Sequence, residues 1–172
     1  MIPSRHFLIL GLGLLGLSFV HLAPAAVYSL SGGIDSSQEV PVNAATGTGT
    51  ILGSYDDASN LLSWDISFSG LTGAATGMHF HGAAGAGSNA GVQVNIGSIS
   101  GLGSPTAGST TISASQGADL VAGLWYVNIH TAANPSGEIR GQVAAAVVPE
   151  PSVALLSLIG VASVALRRRR QV

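Results

Sequence analysis

The stretch Asn60 to Gly70, NLLSWDISFSG, constrains the fold most strongly. Its apolar residues fall at every second position, with Leu62, Trp64, Ile66 and Phe68 on one side and Ser63, Asp65, Ser67 and Ser69 on the other. Side chains alternate across a strand, so this spacing predicts an antiparallel β-strand with one face buried. The preceding GTGTILGSYDDASN supplies a partner strand, and Asp56 to Asn60 carry the turn chemistry of a hairpin. Further strands are predicted at Val27–Ser31, Ala75–His81, Val92–Gly97, Thr110–Ala114, Trp125–His130 and Glu138–Val143. One helix-like stretch lies near Ser115 to Ala122. About eight short strands separated by Gly and Pro predict an all-β, antiparallel Greek-key sandwich or barrel.

The chain contains no cysteine and no lysine, so such a domain has to be held by burial and backbone hydrogen bonds rather than by disulfides. Both ends read as targeting segments. Arg5 and His6 precede an apolar run from Phe7 to Val20, and HLAPAA offers a small-x-small cleavage site at Ala23 and Ala25, which predicts a secretory signal peptide over 1–25. At the other end Pro149, Glu150 and Pro151 precede apolar residues 152–166, then Arg167, Arg168, Arg169 and Arg170. Fifteen helical residues reach about 22 Å, a marginal membrane span that the arginines would hold on the cytoplasmic side. Between these segments, 26–148 carries Asp35, Glu39, Asp56, Asp57, Asp65, Asp119 and Glu138 against Arg140 alone, so seven negative and one positive charge leave net −6. That balance disfavours nucleic acid and suits cations, neutral glycans or basic proteins. GLGLLG at Gly11 and GAAGAG at Gly82 are not phosphate-binding loops, since the first lies in the leader and no helix signal follows the second.

The tripartite tail resembles a PEP-CTERM sorting signal. The resemblance implies an exosortase-type processing enzyme, a Gram-negative source and a cell-surface or exopolysaccharide-associated destination reached through an inner-membrane-anchored precursor. The domain itself resembles the CHRD family over Val27 to Val143, on LSGGIDSSQEVPVNAATGTGT, GLTGAATGMHFHGAAG and LWYVNIHTAANPSGEIRGQV. Its most specific pieces are Gln38-Glu39-Val40-Pro41, His79-x-His81-Gly82 and the run from Tyr126 to Thr131 followed by Gly137 to Gly141. The resemblance implies an immunoglobulin-like β-barrel similar to that of copper/zinc superoxide dismutase.

Three of the five histidines lie in this domain. Within GMHFHG, alternation places His79 and His81 opposite Met78 and Phe80. Within LWYVNIH it places Tyr126, Asn128 and His130 opposite Trp125, Val127 and Ile129. If the two strands are neighbours, three imidazoles converge on the outer wall, with Asn128 and Glu138 available for supporting contacts. Imidazole suits copper or zinc, and His-x-His with a distant third histidine is similar to the copper site of the dismutase. No bridging histidine, second zinc cluster or cysteine pair accompanies it, which argues against dismutase activity. The other reading of these histidines is structural, as hydrogen-bond partners of loop carbonyls and of Glu138. Glu138 and Arg140 share a strand face and are expected to form an ion pair, which contributes little where exposed, or a loop-anchoring network.

Two functions follow as expectations. One is a non-enzymatic surface module serving structure, adhesion or binding within extracellular polysaccharide. The other is a copper- or zinc-binding protein using His79, His81 and His130, with dismutase-like redox chemistry as its enzymatic form.

Overall fold

The computed structural model describes residues 25–149. The leader up to residue 24, Glu150, Pro151, the apolar run 152–166 and Arg167 to Arg170 lie outside the described residues. In chain order the elements are β1 (Val27–Asp35), a 3-10 turn (Ser36–Gln38), β2 (Thr48–Asp56), β3 (Leu61–Ser69), β4 (Ala75–His81) and β5 (Val92–Asn95). There follow α1 (Ile96–Ser100), β6 (Thr106–Thr111), α2 (Ala114–Val121), β7 (Tyr126–Thr131), β8 (Ile139–Gln142) and β9 (Ala144–Val147).

All nine strands join one antiparallel sheet in the order β5-β4-β7-β8-β1-β2-β3-β6, with β9 also pairing β1. β1, β2 and β3 form a meander, with β2 and β3 joined by the hairpin whose turn the Asp-rich segment predicts. β3 to β4, β5 to β6 and β6 to β7 are long crossovers between the two halves. The sheet curls on itself, because Trp64 of β3 packs edge-on against Phe80 of β4 at 5.7 Å although five strand positions separate them. The result is the all-β barrel-like architecture that the alternation predicts, closed around Leu30, Ile51, Leu62, Ile66, Met78, Val127 and Ile129.

Several elements differ from the sequence reading: β1 runs on to Asp35 rather than ending at Ser31, paired with β2 along its whole length. β5 stops at Asn95, because the Asn95 side chain accepts from the Ser98 amide at 3.0 Å and caps α1 instead of continuing the strand. β6 begins at Thr106 and ends at Thr111, earlier than the predicted Thr110–Ala114, because Ser113 and Gln116 form a capping box that starts α2. β9 is additional; three of its four residues are alanines without an apolar alternation to betray them. Along β3 the predicted alternation holds, with Leu62, Trp64 and Ile66 buried and Asp65 and Ser67 exposed.

α2 packs against β2 through a glycine. A Cβ on Gly117 would lie within 2.3 Å of Tyr55 Cζ, and the Tyr55 ring is itself buried. Gly117→Ala is therefore expected to lower unfolding stability by about 1–3 kcal/mol through overpacking. Urea denaturation of the variant beside the parent checks this.

Candidate metal centre

β4 and β7 are direct neighbours, so the condition for convergence of the histidines is met. The register sets His81 opposite Tyr126, His79 opposite Asn128 and Gly77 opposite His130. A bulge between Ala75 and Gly77 shifts the ladder beside the cluster. Gly77 makes room for the rings, since a Cβ there would come to 3.1 Å from His79 Cε1 and 3.3 Å from His130 Cδ2. The ring centroids lie 5.0 Å apart for His79 and His130, 5.6 Å for His79 and His81, and 6.1 Å for His81 and His130. One nitrogen from each ring fits within a 4.8 Å set, and all three side chains are half-buried.

The hydrogen bonds assign the tautomers. Carbonyl oxygens only accept, so His81 Nδ1–H donates to Ala90 O at 2.9 Å and His130 Nδ1–H donates to Pro135 O at 3.1 Å. In the neutral rings both Nε2 atoms then carry lone pairs. His79 Nδ1–H donates to His130 Nε2 at 3.1 Å, which leaves His79 Nε2 as a lone pair as well. His81 Nε2 is buried and has no partner among the described residues. Burial holds all three imidazoles below the usual histidine value; neighbouring histidines add to the effect at His79 and His130, and Arg140 adds to it at His81. His81 and His130, neutral rings whose second nitrogen is tied to a carbonyl, have the form a transition metal requires of histidine ligands. A copper or zinc ion would be held by His81 Nε2, His130 Nε2 and a ring nitrogen of His79, replacing the His79–His130 hydrogen bond.

The face bearing these histidines is not an open wall. Tyr126, Asn128 and Arg140 are buried, because the segments 36–46 and 82–91 fold over β7 and β8. Arg140 fastens the second of these. Its Nη1 donates to Asn89 Oδ1 at 3.1 Å, and its Nη2 donates to Ser88 O at 2.8 Å. Its Cζ lies 3.4 Å from the centre of the Tyr126 ring. The His81 ring stacks on Tyr126 at 5.1 Å and 9°, and the Tyr126 hydroxyl accepts from the Ala90 amide at 3.0 Å. Asn89 Nδ2 donates to Val40 O at 2.8 Å and joins the two covering segments.

Two expectations are corrected here. Of the two readings of Glu138 and Arg140, the loop anchor holds and the exposed ion pair does not, since both are buried and each binds loop groups instead. The Glu138 carboxylate accepts from the Thr72 amide at 2.6 Å, from the Thr72 and Thr131 hydroxyls, and from Asn134 Nδ2 at 3.1 Å. Burial alone would raise its pKa, but these donors outweigh it and hold the group below the usual carboxylate value. Nor do Asn128 and Glu138 support the histidines: Asn128 Nδ2 reaches Glu39 Oε2 at 3.5 Å, and among the described residues neither hydrogen-bonds an imidazole. The supporting groups are the Ala90 and Pro135 carbonyls, which the sequence does not mark because any residue can supply them.

Glu39 acquires a place that the sequence showed only as part of Gln38-Glu39-Val40-Pro41. It is buried beside Asn128, and burial raises its pKa against the pull of Arg140. Among the described residues Glu39 Oε1 and Asn128 Oδ1 both lack partners, and each lies within 2.6 Å of where a Cβ on Gly137 would sit. Gln38 Oε1 accepts from the Gln142 amide at 3.2 Å, so this segment is tied to β8 two residues beyond Arg140.

The Glu138 network gives a pH prediction. Its folded pKa is depressed, so its stabilisation is fully present above the unfolded carboxylate value and is lost as pH falls through the lower folded value. Glu138→Gln should flatten that acid limb below about pH 4.5 while lowering stability at pH 7, measured by thermal unfolding across pH.

A protein-family model described as the CHRD domain matches residues 30–143. No curated protein and no solved structure matches the chain.

Proposed function

The chain belongs to the CHRD-domain family, and from that premise we propose that it is an exported, non-enzymatic binding module that holds one transition-metal ion, copper or zinc, at His79, His81 and His130. The observation that carries this reading is His81 Nε2, a buried lone pair without a partner among the described residues, beside two further imidazoles whose tautomers suit ligation. A purely structural role accounts for the bonds to Ala90 and Pro135. It leaves His81 Nε2 and the clustering of three neutral rings without a reason, because a buried polar atom lacking a partner costs about 1–3 kcal/mol. The net −6 of the domain favours accumulation of cations at its surface.

The targeting segments give the setting. The leader over 1–25 carries the domain out of the cytoplasm. Pro149-Glu150-Pro151, the apolar run and Arg167 to Arg170 hold the precursor in the inner membrane of a Gram-negative cell until an exosortase-type enzyme processes it. The mature domain then resides at the cell surface or in extracellular polysaccharide, as a structural or adhesive component. Copper at the site would supply one-electron chemistry, which is the route to the dismutase-like alternative. Among the described residues no serine or threonine hydroxyl is hydrogen-bonded to a histidine, so the cluster is not assembled as a hydrolytic pair.

The protein purified without a polyhistidine tag is expected to bind one equivalent of copper or zinc by elemental analysis after dialysis. The His79→Ala, His81→Ala, His130→Ala triple variant should bind none while keeping its far-ultraviolet circular dichroism. Binding that survives the triple substitution would refute the three-histidine site, and so would a folded parent without metal affinity. Fractionation that finds the mature domain in the cytoplasm would remove the export reading alone.

A further inference from the structure

The Asp56 to Asn60 turn contains one residue that turn chemistry does not use. The Asp56 carboxylate closes the turn by accepting from the Ala58 amide at 2.9 Å and the Ser59 hydroxyl at 2.7 Å. The Asp57 carboxylate makes no such bond. Among the described residues its hydrogen bond is to the Ala26 backbone nitrogen, at 2.7 Å, and the Asp57 amide donates back to Ala26 O at 3.1 Å. This two-way clasp fixes the residue that directly follows the small-x-small pair Ala23 and Ala25. Ala25 is exposed and precedes β1, so the Ala25–Ala26 bond lies outside the sheet.

We propose that hydrolysis of the Ala25–Ala26 bond gives the mature chain an α-ammonium group that Asp57 holds as an ion pair. The proposal rests on the export reading and assigns the counter-ion of the new terminus. Water adds across the amide, the Ala25 carbonyl leaves with the leader as a carboxylate, and the proton of that acid ends on the Ala26 nitrogen. An amide donor with one hydrogen and no net charge becomes a cation already within hydrogen-bond distance of a carboxylate. Charge-assisted bonds are about twice as strong as neutral ones. In a domain whose other cation is Arg140, the new charge falls beside Asp56 and Asp57 and relieves their mutual repulsion.

The topology places the second processing end alongside. Val147 of β9 pairs with Tyr28, and the Val148 amide donates to Val27 O at 2.8 Å, so the chain reaches Pro149 next to the mature N-terminus. The histidines lie toward the other pole. His79 pairs with Asn128, Asn128 with Arg140, and Arg140 with Asp35, eight residues along β1 from Val27. That is roughly 26 Å at strand rise. A domain held at the membrane by its tail therefore presents the histidine cluster outward, while the terminus that leader removal creates stays at the membrane-facing pole.

The full chain is expressed with its leader in a Gram-negative host, and the exported product is analysed by intact mass and N-terminal sequencing beside Asp57→Asn. The expected product begins at Ala26. Its α-amino group, followed by NMR after reductive 13C-methylation, should titrate above the ordinary range of about 7.7–8.0, and return to that range in Asp57→Asn. Because this folded pKa is raised, the stabilisation is present below the unfolded value and lost as pH rises through the folded one. The melting temperature of the parent should thus lead that of Asp57→Asn by about 2 °C at pH 7, with the gap closing above pH 9. A product beginning at another residue, or one beginning at Ala26 whose α-amino titration ignores Asp57→Asn, overturns the inference while leaving export intact. Retention of the leader overturns both.

Discussion

Burial of Arg140 organises the face of the sheet that carries the three histidines. It is the only lysine or arginine in the domain, and it lies under the chain rather than on the surface. A guanidinium taken from water needs a full set of acceptors, because an uncompensated buried charge costs several kcal/mol. Here the acceptors are Ser88 O, Asn89 Oδ1 and the Tyr126 ring, with the Glu39 charge nearby. Satisfying one charge therefore requires that the 82–91 segment lie across β8 and β7. The small residues of GAAGAGSNA let that backbone approach closely enough to offer its carbonyls.

The histidine cluster inherits its geometry from this cover. The Ala90 carbonyl orients His81, and Ala90 is positioned by the Tyr126 hydroxyl and by the strap that Arg140 holds through Ser88 and Asn89. The Pro135 carbonyl orients His130 from the loop between β7 and β8, whose far end is fixed by Glu138 through Thr131 and Asn134. Two buried charges of opposite sign thus anchor the two loops that set the imidazole tautomers, without touching the rings or forming a pair with each other. The histidine cluster is built on neighbouring strands and oriented by loops.

The sequence made the strands legible where alternation was strong. Leu62, Trp64 and Ile66 fall on the core side as their spacing requires, and the His79 to His81 pair sits on β4 within the predicted boundaries. Alternation also put Tyr126, Asn128 and His130 on one face, but it reports which residues share a face and not what covers that face. Polar character suggests water where the protein supplies loops, so alternation alone does not decide between an exposed Glu138–Arg140 pair and the buried loop anchors that form. β9 was invisible because alanines carry neither β-branching nor an apolar alternation. The end of β5 depended on whether Asn95 would serve as a strand residue or a cap, which local composition does not decide.

X-ray absorption at the zinc K-edge of the stoichiometrically loaded protein tests the central claim most directly. A first coordination sphere containing three imidazole nitrogens at about 2.0–2.1 Å, reduced in His81→Ala, is the result this account predicts. A sphere of oxygens with one imidazole or none, unchanged by His81→Ala, would contradict it and return His79, His81 and His130 to a structural role.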